Sequence, residues 1–251
     1  MNRTILLTGA SGKFGRVFLD HLLSNGHTVI GTASSQTSLN NIVDMHDLGD
    51  KRFHGIVIDL CEVNAAQKLI DILKGKSLYP DILINNARNL KFLKTSKLGV
   101  TSRENFLNEY LLDVVVPYEL SIELEAYSTP LSLILNIGSQ YGTVGANSNL
   151  YEDPQRDSPI HYGVAKAALS HLTKELAIRF ASKGIQVNCV AYGGVEGRVD
   201  AEFKDRYSKM VPMGRMLLED EITWPLDALL SEKSRPMTGQ TLNFDGGWTI
   251  W

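Results

Sequence analysis

The stretch TILLTGASGKFG, residues 4–15, runs from a short apolar segment straight into a turn with glycines at positions 9, 12 and 15. Residues 4–9 read as a buried strand ended by glycine. The following VFLDHLLSNG carries Val17, Phe18, Leu22 and Leu23 at helical spacing and is closed by Gly26. A glycine turn between a strand and a helix lets a pyrophosphate reach the main chain without meeting a Cβ. It also sets the phosphate on the free N–H groups that start the helix. A plain capping turn would use the same glycines, so both readings stand at this point. An ATP phosphate loop is the least favoured reading, because Lys13 is not followed by Ser or Thr in the required arrangement.

Outward from this turn the theme repeats. HTVIGT (27–32), HGIVIDL (54–60), DILIN (81–85), LSLILNIGS (131–139) and IQVNCVA (185–191) are apolar strand-like runs. Between them, AAQKLIDIL (65–73), a long stretch from about 103 to 127, and VAKAALSHLTKELAIRFASKG (164–184) have helical character. Such alternation predicts a single three-layer α/β domain over 1–251, a doubly wound parallel sheet of Rossmann type. No linker rich in Pro, Gly and Ser divides it. Two polar, turn-rich segments, 145–159 and 194–216, follow strands on the ligand-binding side and are expected to be substrate loops.

Composition narrows the function. The chain has 251 residues, 43% apolar and 21% charged, with a net charge of −3. That balance fits a compact protein and lacks the basic surface a nucleic acid requires. No segment approaches the length of a membrane span or a secretion signal. Cys61 and Cys189 are far apart and form no motif, which points to a reduced cytoplasm, with Cys189 as a small core hydrophobe. The six histidines form no ligand cluster with acids or cysteines, and no metal is expected.

The candidate chemistry lies in HYGVAK, where Tyr162 and Lys166 are four residues apart and share a helix face. Ser139 ends the preceding strand, where the fold can bring its hydroxyl to the same crevice. The glycine turn, NNA at 85–87, Ser139, Tyr-x-x-x-Lys and a late AYGGV (191–195) together resemble the short-chain dehydrogenase/reductase family, over essentially the whole chain. The resemblance implies an NAD(P)-dependent oxidoreductase that moves hydride between nicotinamide and a carbonyl or alcohol. Tyr162 would be the general acid or base. A free phenol titrates near ~10, poorly placed for proton transfer at neutrality, and Lys166 would supply the charge that favours phenolate. Ser139 would hydrogen-bond the substrate oxygen. The implied cofactor contacts are Gly9, Ser11, Gly12, Lys13, Phe14, Gly15, Ser34, Asp59, Leu60, Asn86, Ala87, Tyr162, Lys166, Gly193 and Val195. The end of the second strand, with Ala33, Ser34 and Ser35, carries no acid to repel a 2′-phosphate, and Lys13 could approach one. The reading leans to NADP over NAD on that ground. Asp59 suits an adenine amino group or a helix cap equally. His161 is expected to cap or face solvent.

Several positions depart from the family pattern. Asp113, in FLNEYLLDVVVPYEL, stands where the family presents a catalytic Asn; it can accept the same bond, but with a full charge, so altered pH dependence is expected. Arg88 replaces a glycine beside the nicotinamide ribose, either to meet an anion or to point outward. Tyr192 replaces a proline, which implies a freer loop. The insert at 145–159 and the ending DGGWTIW resemble, more weakly, bacterial oxidoreductases of flagellin glycosylation and nonulosonic-acid pathways. Asn147, Asn149, Glu152, Asp153, Gln155 and Arg156 would then bind a hydroxyl-rich substrate or form a solvated loop. The alternatives are a 3-oxoacyl-[acyl-carrier-protein] reductase and a non-enzymatic dinucleotide-sensing regulator. Ala165, Ala168, Leu169 and Leu172 would pack on the sheet or between subunits of a homodimer or homotetramer.

Overall fold

The computed structural model describes residues 2–46, 51–127, 130–197 and 199–250; the side chains of 44–46 and the terminal Trp251 lie outside the description. Seven strands form one sheet: β1 (Thr4–Leu7), β2 (Thr28–Ala33), β3 (Phe53–Val57), β4 (Ile82–Asn85), β5 (Leu133–Ser139), β6 (Gln186–Tyr192) and β7 (Thr241–Phe244). Their order is β3-β2-β1-β4-β5-β6-β7. Every pair is parallel, with Ile5 opposite both Val29 and Ile82 at the centre. The helices are α1 (Lys13–Ser24), α2 (Gln36–His46), α3 (Ala65–Gly75), α4 (Arg103–Tyr110), α5 (Val116–Ala126), α6 (Pro154–Asp157), α7 (Ile160–Phe180), α8 (Ala201–Met210) and α9 (Trp224–Leu230).

Alternation along each strand splits the core in two. Ile5 and Leu7 join Phe18, Leu22 and Ile222 on one face of the sheet. Leu6 joins Leu69, Leu120, Leu176 and Phe180 on the other. A third, smaller cluster unites the two expected substrate loops. Leu150 packs with Tyr207, Val211, Met216 and the near-terminal Trp248, and Trp248 stacks on Tyr207 at 4.5 Å. The chain winds outward from β1 through β2 to β3, then crosses back to place β4 on the other side of β1. Loops therefore part at the carboxyl ends of β1 and β4, which opens a crevice there.

Three local features differ from the sequence-based expectation. The helical stretch near 103–127 is interrupted at Leu111–Val115 by a π turn, a rare geometry that widens the helix where Asp113 sits. Strand β7 has no counterpart in the periodicity, because this four-residue edge strand is half-buried and shows no clear alternation. Tyr192 does not loosen its loop. It ends β6 almost fully buried, packs edge-on against Phe14 and Phe244 and donates from its hydroxyl to the Ile222 carbonyl at 2.6 Å. An aromatic clamp thus takes the place of a rigid ring.

No helix among the described residues is long and apolar enough to cross a membrane. Both cysteines are free thiols.

Candidate active site

The crevice is a cleft of about 1050 Å³, and it gathers residues from the carboxyl-terminal loops of β1 to β6. At one end lie Gly9, Ser11, Gly12, Lys13 and Phe14. Gly12 precedes α1 with no side-chain cap, so the first-turn N–H groups of the helix remain available to an anion. Gly9 has φ +64, and a Cβ there would come within 2.7 Å of the Ala87 Cα; only glycine lets the turn lie against the loop after β4. Asn86 secures that contact by donating to the Thr8 and Gly9 carbonyls at 2.9 and 3.2 Å. Uncapped helix donors beside a glycine-containing turn fit the diphosphate of a dinucleotide.

On that side the cleft is also lined by Ser34, Ser35, Ser38, Asp59 and Leu60. Ser35 caps α2 by accepting from the Ser38 N–H at 3.1 Å. Asp59 does not cap α3, whose N-cap is Asn64; its Oδ1 instead accepts from Cys61 N–H at 2.9 Å. Lys13 is turned away from the serines. Its ammonium lies 3.3 Å from the Val195 carbonyl and from Glu219, and also reaches the Glu196 carbonyl. The cation thus ties the glycine turn to the loop after β6, because three oxygens there outcompete solvent.

The other end holds Ser139, Tyr162 and Lys166, all lining the same cleft. Ser139 closes β5, and its hydroxyl accepts from the Tyr141 N–H at 3.3 Å. The turn after Ser139 presses directly on α7. At Gly142 a Cβ would come within 2.8 Å of the Lys166 carbonyl, so the missing side chain sets how closely Ser139 approaches the helix bearing Tyr162 and Lys166. The Lys166 ammonium is buried and donates to Asp113 Oδ1 at 3.1 Å and to the Ile137 carbonyl at 3.0 Å. Burial alone would favour the neutral amine, but the Asp113 carboxylate and the Tyr162 phenol outweigh it and hold the Lys166 pKa above its ordinary value. The ammonium stands 5.8 Å from the Tyr162 ring centre.

The guanidinium of Arg88 lies over the same ring at 4.5 Å. Among the described residues Arg88 makes no hydrogen bond or ion pair, and the side chain is exposed at the cleft. His161, by contrast, is fully buried. Its two nitrogens reach the Thr101 hydroxyl at 3.0 Å and the Phe92 carbonyl at 2.8 Å. It pins the loop before α4 to α7, correcting the expectation of a capping or surface role.

The two expected substrate loops do contribute to the cleft, but sequence reasoning did not single out the aromatic residues that form its wall. Tyr141, Tyr151, Phe203 and Tyr207 line the cleft. The Tyr141 and Tyr151 hydroxyls are paired at 2.6 Å; Tyr207 donates to Gln140 Oε1 at 3.0 Å and accepts from the Gly194 N–H. Burial pushes Tyr207 up to about 12, so this wall offers neutral hydroxyls and aromatic faces. The six polar residues of the insert do not line the cleft. Asn147 and Asp153 cap short helical turns, and Arg156 pairs with Asp153 and Asp157. Also missed was Glu109, on the last turn of α4, with only 1% of its surface exposed. Burial, reinforced by Asp113, pushes it from 4.5 up to about 7. The folded chain thus holds a proton that the unfolded chain releases between those values, and stability is expected to fall as pH rises through that window. Urea midpoints measured from pH 4.5 to 8 in the parent and in Glu109→Gln check this: the variant loses that part of the slope.

Among the described residues, no group of three or more His, Cys, Asp or Glu side chains is placed to hold a metal. The parallel sheet, its strand order and the cleft at the switch point define an α/β protein of Rossmann type, with a phenol, an ammonium and a strand-end hydroxyl lining the cleft. A family model described as enoyl-(acyl carrier protein) reductase matches residues 14–249. An uncharacterised short-chain type dehydrogenase/reductase of Sinorhizobium fredii is 30% identical over 98% of this chain, which spans 43% of that relative. The 3-oxoacyl-[acyl-carrier-protein] reductase of Salmonella typhimurium is 28% identical, covering 96% of this chain and 95% of its own. A short-chain dehydrogenase of Leptospira borgpetersenii, solved with bound NAD+, superposes with a TM-score of 0.86 at 29% identity, over 100% of this chain and 94% of that one. The chain belongs to the short-chain dehydrogenase/reductase family of NAD(P)-dependent oxidoreductases.

Proposed function

We propose that this enzyme interconverts a carbonyl and an alcohol on a small polar substrate that carries an anionic group, with Tyr162 as the proton donor and acceptor. The observation that carries the reading is the meeting of Tyr162, the Asp113-anchored Lys166 and Ser139 in the cleft that also holds the uncapped start of α1. When bound, the reduced nicotinamide supplies the hydride. Gly9, Ser11, Gly12, Phe14, Asn86 and Ala87 hold the dinucleotide at its diphosphate and central part, Ser34, Asp59 and Leu60 at adenosine, and Gly193 and Val195 at the nicotinamide; Gly15 does not line the cleft but is buried against the Gly9 carbonyl, where a Cβ would not fit, and so shapes the turn from behind. Lys13 serves by bracing the loop that carries Val195.

Ser139 directs its hydroxyl to the substrate oxygen, where negative charge grows in reduction. Tyr162 delivers its proton to that oxygen. The Lys166 ammonium and the Arg88 guanidinium face the phenol ring and stabilise the negative charge left on it. Asp113 fixes Lys166 in place, a direct carboxylate contact where the family resemblance implies an asparagine.

Arg88 supports the anionic substrate. An exposed guanidinium with no acceptor among the described residues, beside the proton donor, matches the bidentate geometry of a carboxylate or phosphate. The paired tyrosine hydroxyls of the opposite wall suit a hydroxyl-bearing chain more than a long acyl tail. The likeness to 3-oxoacyl-[acyl-carrier-protein] reductases favours a second reading, reduction of an oxoacyl thioester. Steady-state assays separate the two. NADH and NADPH oxidation is followed against acidic and neutral ketosugars, short oxo acids and oxoacyl thioesters, with Tyr162→Phe as control. Arg88→Ala is expected to raise KM for acidic substrates about 10- to 100-fold with kcat changed far less, as the loss of a charge-assisted pair entails. Equal KM values in parent and variant would remove the anionic group from the proposal. Turnover of thioesters alone would establish the second reading, and dinucleotide binding with no turnover anywhere would favour a sensor.

The absence of an acid at Ser34, Ser35 and Ser38 leaves room for a 2′-phosphate, and supports NADP alongside NAD. Exposed Leu107, Tyr110 and Tyr118 near α4 and α5, with Val164 and Ile178 on α7, support a homodimer or homotetramer, which light scattering resolves. Free thiols in both cysteines accord with a cytoplasmic enzyme.

A further inference from the structure

The proposed reaction leaves unused the most unusual ionisable group near the site. Glu109 is 1% exposed, and neither of its carboxylate oxygens has a hydrogen-bond partner among the described residues. It stands four residues before Asp113, whose second oxygen, Oδ2, is likewise buried without a partner. Two carboxylates therefore converge on the region of one buried ammonium. The charged and titratable groups that act on Glu109 come from each side: Asp113 along its own helix, Lys166 from α7, Arg88 from the loop after β4 and the Cys61 thiol from the loop after β3.

Acceptors are in excess here. An ionised Glu109 adds two more to a place where Asp113 Oδ2 is already unsatisfied, whereas a neutral Glu109 brings an O–H donor. Burial and the Asp113 charge both favour the neutral form; Lys166 and Arg88 oppose it and do not overcome them, so Glu109 titrates at about 7.

We propose that Glu109 is a positioning residue that sets the charge opposite Lys166. Neutral, it leaves Asp113 as the single carboxylate facing the ammonium; ionised, it adds a second negative charge that opposes charge development on the Tyr162 oxygen. It acts through the Asp113–Lys166 pair and touches neither substrate nor cofactor. The inference rests on Tyr162 as the proton donor.

Two measurements test it. The first is the pH profile of carbonyl reduction in the parent, Glu109→Gln and Glu109→Asp. The parent rate is expected to fall about three- to tenfold as pH rises through 7, the size of one added charge at this range. Glu109→Gln, permanently neutral, should hold its kcat at least one pH unit further, with KM for the dinucleotide unchanged, and Glu109→Asp should restore the fall. A Gln profile superimposed on the parent's would overturn the proposal, as would an equal loss of kcat at every pH, the mark of a merely structural role. The second is the infrared carboxylic-acid band of the substrate-free parent across pH 5–9, which does not require an active variant. A neutral carboxyl present at pH 6, lost by pH 8 and missing from Glu109→Gln is the expected result; Glu109 ionised at pH 5 contradicts it. An intact band in a protein whose Tyr162→Phe variant turns over normally would refute the role in catalysis through Tyr162, and would separate that failure from a wrong assignment of the proton.

Discussion

Tyr162→Phe is expected to lower turnover by about 10²- to 10⁴-fold, the usual worth of a positioned acid or base, while dinucleotide binding stays close to that of the parent. The substitution removes one oxygen and keeps the ring. The ring packs beneath Arg88 and beside Lys166, so the surrounding charges keep their places and the loss isolates the proton. Within the described residues the Tyr162 hydroxyl has no hydrogen bond that folding depends on, in contrast to Tyr192 and Tyr207, whose hydroxyls are tied to the chain. Thermal stability should therefore be nearly unchanged. Stopped-flow measurement of nicotinamide oxidation, with dinucleotide affinity read by fluorescence, separates the two effects. Turnover within a few-fold of the parent would remove Tyr162 from the chemistry.

The second large effect concerns stability as well as rate. Lys166→Met takes away from Asp113 the ammonium that pairs with it among the described residues and removes a donor from the Ile137 carbonyl. Breaking a buried pair from one side typically costs about 3–5 kcal/mol, because the remaining charge has neither partner nor water. For a chain of this size that corresponds to a drop in melting temperature on the order of 10 °C. The penalty belongs mainly to the abandoned carboxylate. Lys166→Met/Asp113→Leu should accordingly recover most of the stability without recovering activity, since replacing both partners by apolar groups is close to neutral. Calorimetry of the two variants at one pH checks the pair. If the double variant melts no higher than the single one, the ion pair is not what the single substitution damaged.

Much of this enzyme is written in local sequence. The glycine turn reads directly because TILL, three glycines and VFLDHLL are adjacent, and each demands its own backbone conformation. The doubly wound sheet follows from apolar runs alternating with helical spacing, since strands buried on both faces cannot carry charge. Tyr162 and Lys166 read as a pair because a helix turns once in about four residues. What failed involved contacts between distant segments. Lys13 was free to be assigned to a phosphate until the loop after β6 presented its carbonyls and Glu219. His161 looked like a surface residue until Thr101 and Phe92 closed over it.

The sequence by itself determined the class of fold, the glycine turn between β1 and α1 and the phenol–ammonium spacing, because each rests on neighbours within a few residues. Only the tertiary structure decided how charge is distributed around them. A π turn at Leu111–Val115 accompanies Asp113 in the core, close packing at Gly142 sets the approach of Ser139, and Glu109 ends up beside Asp113. The physical reason is that a carboxylate's energy depends on the water it loses and the charges it meets. Both are fixed by segments far away in the chain.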